Sequence, residues 1–257
     1  MICDMSGKVV LVTGASQGLG ETIAMEFGKV HADVVVNYRS QKEKAEKIAK
    51  QIREFGPKAI AKQCNVADSI AVKNMLAEIL KEFGRIDVLV NNAAVNPKNP
   101  KGKTPIFDMT DEEYQTVLDV NLKGTFNCTR EALKAMLKQG SGSIVSISST
   151  SGHMGNGAPV GAPYCISKAG IICLTKAAAL DVAAKGIRVN VVAPGPIEGP
   201  TNLRNPPEVN AAMADKIPMK RIAKPEEIAY AVIFLASDLS ANTTGETLNV
   251  NGGWYMP

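Results

Sequence analysis

The chain is predicted to be an α/β protein: one domain over residues 1–257, built on a doubly wound parallel sheet with helices on both faces. Short β-branched runs alternate with long segments of helical period, and strand–helix–strand repeated in this way specifies a parallel sheet. The runs are apolar almost throughout rather than alternating, as strands buried on both faces are. A length of 257 residues suits one large α/β domain, able to bury roughly three quarters of its unfolded surface.

Taken in order, Lys8–Thr13 is the first strand, and it runs through a glycine-rich turn into a helix. Val34–Tyr38 is the second. Helix Ser40–Phe55 follows it, and the i,i+4 pairs Glu43–Lys47 and Glu46–Lys50 mark a solvated outer face. Ala59–Val66, helix Ser69–Phe83 and Ile86–Asn91 come next. After a Pro- and Lys-rich stretch, Asn92–Asp108, helix Asp111–Gln139 leads to strand Ser143–Ser148, helix Tyr164–Lys185 and strand Ile187–Ala193. Pro194–Ile217, rich in Pro and Asn, precedes the last strand, Thr247–Val250. Asn92–Asp108 and Pro194–Ile217 fit no element. Both follow the carboxyl ends of strands, where open parallel sheets bind ligands, so they are candidate active-site loops, with 194–217 as a substrate lid.

Composition excludes several classes. With 45% apolar and 21% charged residues, the chain is neither disordered nor fibrous. The net charge of +4 is dispersed among acidic residues, so nucleic acid is not an expected partner. The longest apolar stretch, Ile171 to Ala184, is broken by Lys176 and Asp181 and is too short to span a bilayer. No basic segment or cleavage site precedes Val9, so a cytoplasmic location is expected. Cys3, Cys64, Cys128, Cys165 and Cys173 are odd in number and contain no CxxC pair. Buried reduced thiols are expected in preference to disulfides or zinc sites.

The first chemical signal is "VVLVTGASQGLGETIAMEF", in which Gly14, Gly18 and Gly20 join a buried strand to a helix. Glycine there lets the backbone approach a pyrophosphate, whose charge meets the amides and dipole of the helix N-terminus. The spacing G-x-x-x-G-x-G differs from G-x-G-x-x-G and selects a family.

Five further motifs follow in order: "NNAA" at Asn91–Ala94, Asn121 in "VNLKG", Ser149 in "SISST", Tyr164-x-x-x-Lys168 and Pro194–Gly195. Together with "TGASQGLG" and "TGETLNVNGG" they span essentially the whole chain, which resembles the short-chain dehydrogenase/reductases. It is most similar to the branch of 3-oxoacyl-carrier-protein reductases, glucose 1-dehydrogenases and bacterial hydroxysteroid dehydrogenases. The resemblance implies a Rossmann-type fold, a nicotinamide cofactor, hydride transfer to or from a ketone or secondary alcohol, and a homotetramer. It makes Tyr164 the catalytic acid/base, Lys168 its partner, Ser149 the substrate-polarising hydroxyl and Asn121 the holder of a relay water. It assigns the cofactor to Gly14, Ser16, Gln17, Gly18, Leu19 and Gly20 at the turn, to Asn65, Val66, Asn92 and Ala93 at the next strand ends, and to Tyr164, Lys168, Pro194, Gly195 and Ile197.

The chemistry explains the residue types. A ketone receiving hydride builds negative charge on oxygen, where a positioned donor must deliver a proton. A tyrosine with a pKa of about 10 is a poor base at neutral pH. A nearby lysine and an oxidised nicotinamide are both expected to lower it. Tyr and Lys at i and i+4 share a helix face, though that spacing alone occurs by chance in many helices.

The sequence departs from the family pattern at four places. The serine-to-tyrosine gap is about two residues longer, which suggests an insertion within Ala158–Pro163 and leaves Ser151 as the alternative to Ser149. Ala94 replaces a glycine, and Asn65 replaces the aspartate that contacts adenine. Gly199 stands where a threonine is usual, with Thr201 two residues later.

"VVVNYRS" places Arg39 and Ser40 where an acid would bind both ribose hydroxyls, so NADP(H) is expected in preference to NAD(H). Lys98, Lys101 and Lys103 are read as an exposed solubilising loop rather than a site for an anionic carrier, and Arg204 as a lid cation. Helix Tyr164–Lys185 carries Ile171, Ile172, Leu174, Leu180 and Val182 on several faces, more than one sheet face can cover, which calls for burial against another subunit. The competing functional class is a catalytically silent dinucleotide-binding sensor or scaffold.

Overall fold

The computed structural model describes residues 3–96, 104–155, 161–199 and 206–257. Lys98, Lys101, Lys103, Thr201, Arg204 and Ala158–Val160 lie outside them.

Seven parallel strands form one sheet in the order β3-β2-β1-β4-β5-β6-β7. They are β1 (Val9–Val12), β2 (Asp33–Tyr38), β3 (Ala59–Gln63), β4 (Val88–Asn91), β5 (Gly142–Ile147), β6 (Ile187–Pro194) and β7 (Thr247–Val250). Their period of two explains the near-continuous apolar runs, because each face has its own core. Val10, Val12, Val34, Val36, Val88 and Val90 pack on one face, and Val9, Leu11, Val35 and Leu89 on the other. The first face is covered by α1 (Gly18–Lys29), α2 (Lys42–Arg53) and α9 (Pro225–Ala236). The second is covered by α3 (Ser69–Phe83), α5 (Gly124–Gln139) and α7 (Ala162–Val182). Each fully buried aliphatic side chain contributes about 1.5–3 kcal/mol. Strand order reverses between β1 and β4, which opens a crevice at their carboxyl ends.

Three elements differ from the sequence expectation. The segment Asp111–Gln139 is not one regular helix: α4 (Asp111–Leu118) joins α5 through a π-helical turn, Asp119–Lys123. A π turn inserts a residue without breaking the helical pattern, so periodicity does not register it. The stretch 194–217 is not all loop, since α8 (Pro207–Lys216) forms within it; no residue of α8 is buried, so it has no apolar stripe to announce it. A 3₁₀ turn, Ile106–Asp108, lies in the other expected loop. The short α6 (Ser151–Met154) follows β5.

Helix α7 has less unsatisfied apolar surface than expected, because Ile171 and Val182 are buried within the subunit. Leu180 nevertheless remains 85% exposed.

Candidate active site

At the crevice between β1 and β4, a cleft of about 330 Å³ gathers residues from four strand ends. The turn after β1 contributes Gly14, Ser16, Gln17, Leu19 and Gly20, and the end of β2 contributes Arg39 and Ser40. Asn65 and Val66 come from the end of β3, and Asn92 and Ala93 from the end of β4. Gly18 is not on the cleft wall; its φ of 60° turns the chain into α1. The N-cap Gln17 makes no side-chain capping bond, so the first N–H groups of α1 are left for a ligand. A Cβ on Gly20 would strike the Asn92 side chain and lie 2.5 Å from the Gly14 carbonyl oxygen. These features fit a pyrophosphate: the turn presents backbone where side chains would stand in the way.

Side-chain bonds hold this wall. Thr13 Oγ1 accepts from the N–H groups of Asn92 and Ala93 at 2.9 and 3.0 Å, and Asn92 Nδ2 donates to the Thr13 carbonyl at 2.9 Å. Asn37, 2% exposed in β2, carries a larger share. Its Oδ1 accepts from Gly14 N–H at 3.1 Å, and its Nδ2 donates to the carbonyls of Lys62 and Cys64, each at 3.2 Å. One amide thus ties the glycine turn to the end of β3. Asn65 leaves the sheet in an Asx turn, its Oδ1 accepting from Ala67 N–H at 3.2 Å, which ends β3 earlier than expected and sends Val66 to the cleft.

The second part of the site lies where β5 meets α7. Lys168 is 3% exposed, and its Nζ donates to the Ile147 carbonyl at 2.7 Å. Burial pulls its pKa down to about 8. The same ammonium lies 5.5 Å from the centroid of the Tyr164 ring. Ser149 stands close enough to the Tyr164 phenol to pull its pKa down, and its Oγ accepts from Ser151 N–H at 3.1 Å. Ser149, rather than Ser151, therefore stands beside the tyrosine. Ser148 donates to the Lys168 carbonyl at 2.8 Å, and Ser146 accepts from Asn91 Nδ2 at 3.2 Å, so both are occupied structurally.

The tyrosine departs from expectation in one respect. Burial raises its pKa above the ordinary value, while the Ser149 hydroxyl pulls the other way. The shift of the neutral phenol owes nothing to Lys168, whose own ammonium is desolvated and bonded to the Ile147 carbonyl.

Asn121 is fully buried in the π turn. Its Oδ1 accepts from Val95 N–H at 2.8 Å, and its Nδ2 donates to the Val95 carbonyl at 3.0 Å and to Ser167 Oγ at 3.2 Å. Its main-chain carbonyl accepts from Thr125 Oγ1 at 2.7 Å. Pro194, Gly195 and Ile197 stand at the carboxyl end of β6, off the cleft wall. Gly195 N–H donates to the Val250 carbonyl at 3.1 Å, and Ile197 forms a parallel bridge with Ala223.

Known proteins give the same picture. The family model described as "Enoyl-(Acyl carrier protein) reductase" matches residues 14–255. A 3-oxoacyl-[acyl-carrier-protein] reductase of Staphylococcus aureus is 44% identical over 249 residues, covering 97% of this chain and 98% of its own. The Thermotoga maritima protein of the same name is 38% identical, with the same coverage of both chains. Among solved structures, a short-chain type dehydrogenase/reductase from Mycobacterium marinum superposes with a TM-score of 0.88 and 36% identity, covering 99% of this chain and 97% of its own. The chain belongs to the short-chain dehydrogenase/reductase family. A 3-oxoacyl-[acyl-carrier protein] reductase from Brucella melitensis superposes with a TM-score of 0.92 at 33% identity, covering 99% and 93% of the two chains.

As a short-chain dehydrogenase/reductase, the protein is an oxidoreductase acting between carbonyl and alcohol with a nicotinamide dinucleotide. Relatives named as reductases over nearly the full length support this and give no support to a silent sensor. Among the described residues no helix is long and apolar enough to cross a membrane. Asn37 and Thr13 are the residues of this site that sequence reasoning missed. A signal for Asn37 exists: it is the one amide in the otherwise apolar, buried run "VVVNY".

Proposed function

We propose that the chain is an NADP(H)-dependent reductase of 3-oxoacyl thioesters, with Tyr164 as acid/base, Lys168 as its partner and Ser149 as the second hydroxyl on the carbonyl oxygen. One observation carries the proposal: the Ser149 hydroxyl meets the Tyr164 phenol while Lys168 lies under the same ring. The bound nicotinamide supplies the hydride. Tyr164, a phenol whose pKa burial raises further above its ordinary value, delivers a proton to the carbonyl oxygen as charge develops there. Ser149 is oriented by Ser151 N–H, which leaves its own proton for that oxygen. The Lys168 ammonium, fixed by Ile147, steadies the phenolate left behind. The Asn121 amide is used by Val95 and Ser167, so its main-chain carbonyl, which takes one bond from Thr125, is the atom that holds the relay water.

Two hydroxyls aimed at one oxygen suit a ketone, where the proton ends on oxygen, rather than an enoyl double bond, where it ends on carbon. The relatives' name supplies the thioester. A panel of acetoacetyl and crotonyl thioesters, sugars and steroid ketones tests this. Consumption of NADPH is expected with the acetoacetyl thioester, and turnover confined to the crotonyl thioester would sink the assignment.

For the cofactor, the cleft wall carries Arg39 and Ser40 at the end of β2 and no acid among the described residues. A guanidinium there accepts a 2′-phosphate. kcat/KM is expected to favour NADPH over NADH by about tenfold or more, which corresponds to about 1.4 kcal/mol, and Arg39→Ala to erase the difference. An NADH preference unchanged in Arg39→Ala would refute it.

The functional unit is a homotetramer in the cytoplasm. Leu180 at 85% and Phe107 at 86% exposure are large apolar groups that a second subunit would cover, and the five cysteines are thiols. Light scattering at micromolar concentration is expected to give four times the chain mass; a monomer contradicts this.

A further inference from the structure

Helix α6 is where the site needs outside support. It spans four residues and has no side-chain N-cap, and a single turn is not stable alone. Yet it is built directly on the proposed catalytic serine: Ser151 N–H donates to Ser149 Oγ at 3.1 Å and Gly152 N–H to the Ser149 carbonyl at 2.9 Å. One of its anchors is α7, since a Cβ on Gly152 would lie 2.8 Å from the Lys168 carbonyl carbon. The other comes from the segment after β7. The Tyr255 ring stacks on the His153 imidazole with centroids 4.5 Å apart and planes at 11°. His153 Nε2 is sealed from solvent and has no hydrogen-bond partner among the described residues, so on that edge packing alone holds the imidazole.

The segment that delivers Tyr255 is itself braced. Asn251 Nδ2 donates to the Tyr255 carbonyl and its Oδ1 accepts from Gly253 N–H, both at 2.9 Å. A Cβ on Gly195 would lie 3.0 Å from Asn251 Cβ. On the far side, Met219 N–H donates to the Gly252 carbonyl at 3.1 Å. Gly252 and Gly253, with φ of 63° and 86°, lie so close to Ile217 and Pro218 that added Cβ atoms would come within 2.7 and 3.0 Å of them. Ile217–Met219 directly follow α8.

We infer that Asn251–Tyr255 is a strut of the active site, in which Tyr255 is a positioning residue that acts through His153 to hold Ser149 against Tyr164 and ties α6 to Ile217–Met219. This rests on the functional reading above. The strut explains how a four-residue helix can hold the Ser151 N–H that orients the Ser149 hydroxyl.

The test compares Tyr255→Ala with Tyr255→Phe, which keeps the stacked ring. In Tyr255→Ala, amide exchange at Gly152 and His153 is expected to accelerate at least tenfold. kcat for the carbonyl substrate is expected to fall about tenfold, with cofactor Kd and the thermal transition close to wild type. Tyr255→Phe is expected to restore both exchange and kcat. Unchanged exchange at Gly152 and His153, or loss of cofactor binding in step with loss of fold that Tyr255→Phe does not rescue, overturns the strut. Tyr164→Phe in the same assay reports separately: full activity in that variant overturns the functional reading, whereas the exchange measurement decides the strut whatever the activity.

Discussion

Tyr164→Phe is expected to lower kcat for carbonyl reduction by about a thousandfold, within the 10²–10⁴ range of a positioned general acid, while cofactor affinity changes by less than about twofold. The substitution removes one oxygen and keeps the ring over Lys168. Ser149 loses its phenol neighbour, but it remains bonded to Ser151 N–H, so α6 and β5 keep their geometry. The cleft of the glycine turn contains no part of Tyr164, which is why dinucleotide affinity is expected to survive. Steady-state rates with the acetoacetyl thioester, together with a fluorescence titration of the cofactor, measure the two quantities. A variant within about tenfold of wild type would place the proton donor elsewhere. Ser149 and the relay water at Asn121 are the groups to examine in that case.

What the sequence displays well is whatever depends on local pattern. The central strands are readable because doubly buried strands are apolar throughout, the edge strands β3 and β7 by their place in the alternation, and the glycine turn because a side chain at Gly20 would collide with Asn92. Boundaries shift by one to three residues where caps and Asx turns decide them, as at Asn65, where β3 ends at Gln63 rather than Val66. Helix α9 went unnamed although Pro225 at its first position and Glu226 and Glu227 in its first turn announce it. Helix α8 carries Pro207 and Glu208 in the same places, but with no buried residue it has no apolar stripe to confirm them. The proposed catalytic set is legible through residue types in order, but its geometry is not. That Ser149 and not Ser151 meets Tyr164 depends on how β5 ends and α6 begins, which no spacing reports. The expected lowering of the Tyr164 pKa rests on a lysine and an oxidised nicotinamide together, and in the cofactor-free protein burial acts in the opposite direction. The pairing of Tyr255 with His153 is invisible for the simplest reason: nothing local connects the segment after β7 with the one after β5.

Lys168→Met should separate activity from stability. The variant keeps the length of the side chain and removes the ammonium, so carbonyl reduction is expected to fall at least about a hundredfold. Its effect on folding follows from the sign of the pKa shift. Lys168 titrates near 8 in the folded protein against the ordinary 10.5, so between those values the unfolded chain holds more protons and wild-type stability rises with pH. Below about pH 8 the folded protein carries the full burden of a buried charge, about 3 kcal/mol at roughly 1.4 kcal/mol per pH unit. The variant is free of that burden but leaves the Ile147 carbonyl without the Nζ bond, a loss of about 1–3 kcal/mol. Near pH 7 the variant is therefore expected to be at least as stable as wild type. As pH rises from about 8 toward 10.5, wild type should gain on it and overtake it, because the neutral amine still bonds Ile147 without the charge burden. Urea unfolding of both proteins in the cofactor-free state across this range gives the comparison. Curves that run parallel from pH 7 to 10 would mean that Lys168 is not held in the desolvated state that its burial implies.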